Sequence, residues 1–351
     1  MKNNTSFKNN LNIFFTLTKR HLKMIFSNKI RMFYTLMVPI IILVIYIIFL
    51  RNMELTAVEN ELLKRGIDVK NAELMKHIST IVDAWMLSGI VSISAVTISL
   101  QTNSLIVEDK ENGVNKDFVS SPINKNILIA SYFLYNFVIT FFLTFLVLLT
   151  SFIFLAVYGE MYLNFTDIIM MIGTVFLTTI PTTLLTVFIC IFIKTEPVLA
   201  SVIAIFSAAI GFLTGAYMPI SMLTKPIQYL CAFIPGTYST SLIRFSYLDS
   251  PINNLASYLK ANPALLPAKE TADSISELVI NSFGYKVNFF EMNVTPALSV
   301  LVTFIFFVIF LVLNIIFSKK LATVEDKPIA LKIKHKKFLK KIKQENTKDK
   351  K

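Results

Sequence analysis

VEDKENGVNKDFVSSPINKN, residues 107–126, is a charged island between two apolar runs, each long enough to cross a bilayer. Glu108, Asp109, Lys110, Glu111, Lys116 and Asp117 give its first half a helical, solvated character, and Gly113 interrupts that helix. Ser121-Pro122 then resets the chain, because the residue before a proline is pushed out of the α region while proline itself starts a helix well. The island predicts a short helix, a break, and a turn into the next span.

Outward from the island the chain is apolar. It contains 31 Phe and only 16% charged residues, against roughly 25% in a soluble domain, which points to an all-α polytopic membrane protein. Six spans are expected, at 32–50, 83–106, 127–158, 167–193, 198–218 and 296–317. Trp85 opens the second at interface depth, as aromatic belts do. Ahead of the spans, residues 1–31 carry Phe7, Leu11, Phe14, Phe15, Leu22, Ile25 and Phe26, with Lys8, Asn12, Lys19 and Lys23 on other faces. That spacing predicts an amphipathic interfacial helix in the headgroup region. Segments 51–82 and 247–293, polar and of mixed charge, read as outer-face insertions, a tight turn is expected around Gly159-Glu160, and 318–351 reads as a basic tail.

Charge sets the orientation. With both termini cytoplasmic, 24 of the 34 Lys and Arg lie inside and 10 outside, as the positive-inside rule favours; the tail also suits anionic membrane lipids. Nothing interleaves these charges with a nucleic-acid-binding module, so no nucleic acid partner is expected. Cys190, Cys231, His21, His77 and His335 show neither disulfide nor metal spacing.

Small and hydroxyl residues recur on several spans. Ser88, Ser92, Ala95, Ser99 and Thr102 step by three and four, a stripe suited to close packing or to lining a pathway. Thr178, Thr179, Thr182, Thr183 and Thr186 surround Pro181, where hydroxyls bond back to the preceding turn; substrate contact by Thr178 and Thr182 is the other reading. Ser201, Ala204, Ala208, Gly211 and Gly215 form a ridge ending in GxxxG, expected to meet a second protomer or a neighbouring helix. Pro219, Pro226, Pro235 and Tyr238 lie in an apolar but interrupted segment, which predicts re-entrant helices before the last span, since irregular backbone at membrane depth needs protein or a wet cavity around it.

Read from their apolar limits inward, the spans hold no Asp, Glu, Lys, Arg or His, whereas ion-coupled carriers place ionisable groups at membrane depth. None of the nine glycines meets the P-loop spacing. A transporter of this kind takes its work from a partner; a channel or scaffold without one is the rival.

The island resembles the first cytoplasmic loop in the membrane subunits of type-2 ATP-binding-cassette exporters, where an acidic residue, a glycine five positions later and a Ser-Pro pair precede the third span. Here these are Glu108, Gly113, Ser121 and Pro122, followed by Ile127-Leu-Ile-Ala-Ser131. With the six-span layout and the proline-rich segment from Pro219 to Tyr238, the resemblance covers nearly the whole chain. It implies a permease subunit in a bacterial plasma membrane, two protomers on two ATPase subunits, ATP and Mg bound by those partners and no cofactor on this chain. Glu108, Asp109 and Glu111 would make polar contact with the ATPase, Gly113 would give the break and Pro122 the turn. The cargo expected is a drug, antimicrobial peptide or lipid-like molecule, with a cell-surface polysaccharide as alternative.

Overall fold

The computed structural model describes residues 2–121, 123–158, 163–267, 270–282, 288–289 and 292–321. Six of its helices are long and apolar enough to cross a membrane. Pro122, the turn at Gly159-Glu160 and the tail beyond Leu321 lie outside the described residues.

The bundle is built around α4 (Ala72–Thr102), in which every residue from Thr80 to Leu100 is buried. It is wrapped by α2 (Lys29–Ile45), α7 (Lys125–Tyr158), α8 (Phe165–Phe192) and α11 (Pro235–Ala261). Its small-residue stripe explains the close fit, because Ser and Gly let neighbouring backbones approach. Ser88 donates to the Trp85 carbonyl (2.6 Å), Ser92 bonds to Thr240 of α11 (2.6 Å), and Ser99 bonds to Thr186 of α8. Thr102, Thr178 and Thr182 are buried as well, the last two donating to carbonyls of their own helix. Within the chain this stripe is buried in helix contacts.

Three sequence expectations change. Trp85 is fully buried, with the Arg244 guanidinium 5.0 Å above its ring, so it is no lipid-interface anchor. The interior is also not free of charge. Asp83 is buried and accepts from Tyr46 (2.6 Å) and twice from Arg51 (2.8 and 3.0 Å), while Arg244 is 2% exposed. Finally, the helix of the first span does not end at Leu50. A π-helical turn, Tyr46–Leu50, carries α2 directly into α3 (Arg51–Lys64), and the wider turn brings both Tyr46 and Arg51 onto Asp83.

The boundary expected at 247 cuts through α11, which runs unbroken past Pro251. Its outer half joins the other insertion. Leu62, Ile67 and Leu74 share a core with Leu255, Leu259 and with Ile275 of α12 (Ala272–Ser282), and Arg65 pairs with Glu270 at 3.2 Å. The described parts of the two insertions thus meet as one subdomain at the end of α4 opposite α5, the outer side in the expected orientation. A two-residue antiparallel pair, Asn288–Phe289 with Met292–Asn293, leads into α13 (Pro296–Leu321).

The segment before the last span turns back against the middle of α4, at Gly89 and Ser92. α9 (Glu196–Leu213) ends in a Schellman cap: Gly215 takes φ +74°, Ala216 N–H donates to Gly211 (2.8 Å) and Gly215 N–H to Phe212 (3.2 Å). Gly211 and Gly215 therefore do not form a helix-packing ridge. Gly211 makes room for the Tyr217 ring, and Gly215 supplies the left-handed turn. Ser201, Ala204 and Ala208 remain exposed on the helix. Past the cap, the chain touches α4 at Gly89, then passes through α10 (Lys225–Ala232) and re-enters beside Ser92 as α11. The prolines open the pieces: Pro219 precedes the one-turn helix Ile220–Met222, Pro226 lies in the first turn of α10, and Pro235 begins α11. Tyr238 closes the reversal by donating to the Ala232 carbonyl at 2.9 Å.

A Cβ on Gly89 would lie 2.6 Å from the Ala216 carbonyl oxygen, a backbone atom that cannot rotate away. Gly89→Ala is expected to push the reversal off α4 and to destabilise the protein by about 1–3 kcal/mol, read as a lowered midpoint in detergent thermal unfolding.

Candidate functional site

At its C-terminal end α4 stops at Asn103, whose Nδ2 donates to Thr186 (2.9 Å), and the chain restarts as α5 (Ser104–Glu111). Leu105, Ile106 and Val107 bury the first half of α5. Gly113 then takes φ +78°, a conformation that costs glycine little, and α6 (Val114–Ser120) leaves in a new direction. Ser121 is extended (ψ 153°), as a residue before proline should be, with its hydroxyl on the Phe118 carbonyl at 3.1 Å.

Four consecutive side chains of α5 hold five different helices of the bundle. Glu108 accepts from Arg31 of α2 at 2.7 Å. Asp109 takes a two-pronged contact from Arg20 of α1 (Lys2–Ser27), both bonds 2.8 Å, and accepts from the Tyr132 hydroxyl of α7 at 2.6 Å. Lys110 donates to three carbonyls at the end of α8, those of Cys190 (2.7 Å), Ile191 (2.7 Å) and Ile193 (3.0 Å). Glu111 accepts from the backbone N–H of Glu196, the first residue of α9, at 2.8 Å. A helix turns about 100° per residue, so four successive side chains point around its whole circumference. α5 is therefore a hub seated inside a ring of helix ends.

The island is less solvated than its composition implied. Asp109 is 1% exposed and cannot reach a separate subunit, and Glu108 is engaged by Arg31. The surface left open is Glu111, Asn112, Asp117 and Ser120, around the glycine break. Lys110 and Glu111 have complementary tasks: an ammonium sits on the carbonyl end of α8 and a carboxylate on the amide end of α9, the signs that helix dipoles favour.

α1 docks on α7 through Leu17, Thr18, His21 and Ile25, whereas Leu11, Phe15 and Phe26 are exposed. His21 stacks on Tyr132 with centroids 4.3 Å apart, and its Nε2 lies 3.3 Å from the Ser131 hydroxyl. The hydrogen bonds to Asp109 hold the Arg20 guanidinium above its ordinary range, while burial, aided by Arg20, pushes the His21 imidazole down to about 3. His21 is thus neutral when docked. Released, it would titrate near its usual value of about 6.5, so the released state binds more protons between those two values. Docking of α1 should stay at full strength above about pH 7 and weaken as pH falls through that window, by up to tenfold per pH unit. Hydrogen exchange of α1 amides at pH 7 and pH 5 checks this, with His21→Gln flattening the response.

Arg20, Arg31, Lys110, Tyr132 and Glu196 were not legible as site residues. The two arginines read as topological charge, and nothing local marks a tyrosine inside an apolar span as the partner of an aspartate.

No curated protein and no solved structure matches this chain. A family profile described as ABC-2 type transporter matches residues 12–248, from within α1 through the hub and the reversal into α11. With six helices long and apolar enough to cross a membrane and that profile over most of its length, this chain belongs to the ABC-2 type transporter family, as a membrane-embedded transport component.

Proposed function

We propose that the chain is the permease subunit of an exporter driven by a separate ATPase subunit that binds ATP and Mg, with α5–α6 as the docking and coupling element. The observation that carries this reading is the row Glu108–Glu111, which ties one loop helix to α1, α2, α7, α8 and α9. A push on the open side of the hub reaches all five at once. ATP closes the ATPase pair, the hub moves, and the bundle shifts between access states according to the closed pair's differential affinity for nucleotide. Asp109 acts by holding α1, while Asp117 and Ser120 of α6 face the partner.

Two protomers would form the pathway along two of the three spans that one chain leaves largely uncovered, α2 and α9, where Phe33, Tyr34, Ile40, Ile41, Val198 and Ile205 are exposed; the third, α13, would face lipid. An open groove of about 350 Å³ at the inner end of this face sets the polar groups of Asn28, Arg31, Thr35 and Gln101 among apolar walls that include Ile30 and Ile203, a mixture that suits an amphipathic cargo. A drug, antimicrobial peptide or lipid-like molecule fits this mixture better than a polysaccharide. In this reading the protein sits in a bacterial plasma membrane, both termini inside and α1 at the headgroups, exporting outward.

The test is to purify the chain with its ATPase in nanodiscs and to ask which of these compounds raises ATP turnover. Glu108→Arg and Gly113→Pro should leave the permease in the membrane while abolishing that stimulation; normal stimulation in both would reduce the island to a connecting loop.

A further inference from the structure

α9 is fastened unlike the other spans. Of its 18 residues only Leu199, Ile210 and Gly211 are buried, so packing along its length within the chain holds it lightly. Its ends are held by charges from other elements. At the inner end Thr195 makes no side-chain cap, and Glu111 supplies one by accepting the Glu196 N–H. At the other end Arg244 of α11 donates to the Gly215 carbonyl at 2.8 Å, within the Schellman cap. An anion at the amide end and a cation at the carbonyl end both match the helix dipole. Between them α9 is a rigid element about 27 Å long.

Arg244 is poorly placed to let go. Its guanidinium is 2% exposed and lies over Trp85, and its Nε has no partner among the described residues. Losing the Gly215 carbonyl would leave a buried charge with still fewer acceptors, at high cost. Arg244 should therefore follow Gly215 wherever α9 moves.

We propose that α9 is a transmission rod, receiving the displacement of α5 through Glu111 and passing it through Gly215 and Arg244 to α11 and the outer subdomain. This rests on the coupling role proposed for α5. Arg244 is a positioning residue: it touches the backbone that must move.

The experiment uses the full chain with its ATPase in nanodiscs, Cys190 and Cys231 replaced by serine, and spin-label pairs at Ile30 with Val198 (inner) and Met53 with Met222 (outer), all four exposed. Trapping the ATP-bound state with vanadate is expected to shift both distances in the otherwise unsubstituted protein. Arg244→Met should keep the inner shift and ATP turnover while the outer shift is lost, and Arg244→Lys should restore part of it. Glu111→Gln, at an exposed position where folding is not at stake, should diminish the outer shift too. An outer shift that persists in both Arg244→Met and Glu111→Gln overturns the rod. A nucleotide-independent inner distance in the unsubstituted protein overturns the coupling role of α5, and the rod with it.

Discussion

Asp109→Ala is expected to uncouple the permease and to lower its stability by roughly 3 kcal/mol, the lower end of the cost of breaking a buried ion pair. The Asp109 side chain is 2% exposed, whereas that of Arg20 is 29% exposed and can recover some hydration, which places the loss at that end. The Tyr132 hydroxyl also loses its acceptor in a buried site. Asp109→Asn keeps an acceptor without the charge and should fall between. An apolar replacement of both partners, Arg20→Met with Asp109→Leu, should be more stable than either single change, because no unpaired charge is left. The functional loss should persist in the double variant, since the charged tether between α1 and α5 is gone. Thermal unfolding read beside substrate-stimulated ATP turnover separates the two effects.

Lys110→Met should produce the second large effect, about 2–4 kcal/mol, because one ammonium satisfies three carbonyls at the end of α8. Its signature is local: hydrogen exchange should rise at 188–196, where α8 ends and α9 begins, while α1 stays docked through Asp109. Lys110→Arg should rescue only in part, since a flat guanidinium fork cannot converge on three oxygens as a compact ammonium does. Basal ATP turnover should survive in the partner subunit, and its stimulation by cargo should fall.

The six long helices were legible because hydrocarbon thickness imposes length and composition on each, and the glycine break at Gly113 because few residues besides glycine adopt its φ readily. Legibility failed where the deciding contact comes from far along the chain. Gly211 and Gly215 fit a packing ridge by spacing, yet the chain turns at Gly215, and the ring that fills Gly211 belongs to Tyr217. Arg244 lies between an interrupted segment and a polar one, and only tertiary structure shows that α11 carries it into the bundle. The charges of the island misled in the same way. Composition counts Asp109 and Lys110 as polar, but a residue bound to Arg20 and Tyr132, or to three carbonyls, is part of the interior.

The complete enclosure of α4 bears on how the protein is made. Among the six candidate spans its hydropathy is the lowest, 1.8, and it carries Asp83 and a row of hydroxyls that neighbours cover only once the bundle is assembled. During synthesis such a helix enters the bilayer before α7, α8 and α11 have left the ribosome, with its polar groups facing acyl chains. Its residence at the insertion channel should therefore be prolonged until those later helices arrive, and nascent chains arrested shortly after α5 should be the form that membrane quality-control proteases remove first.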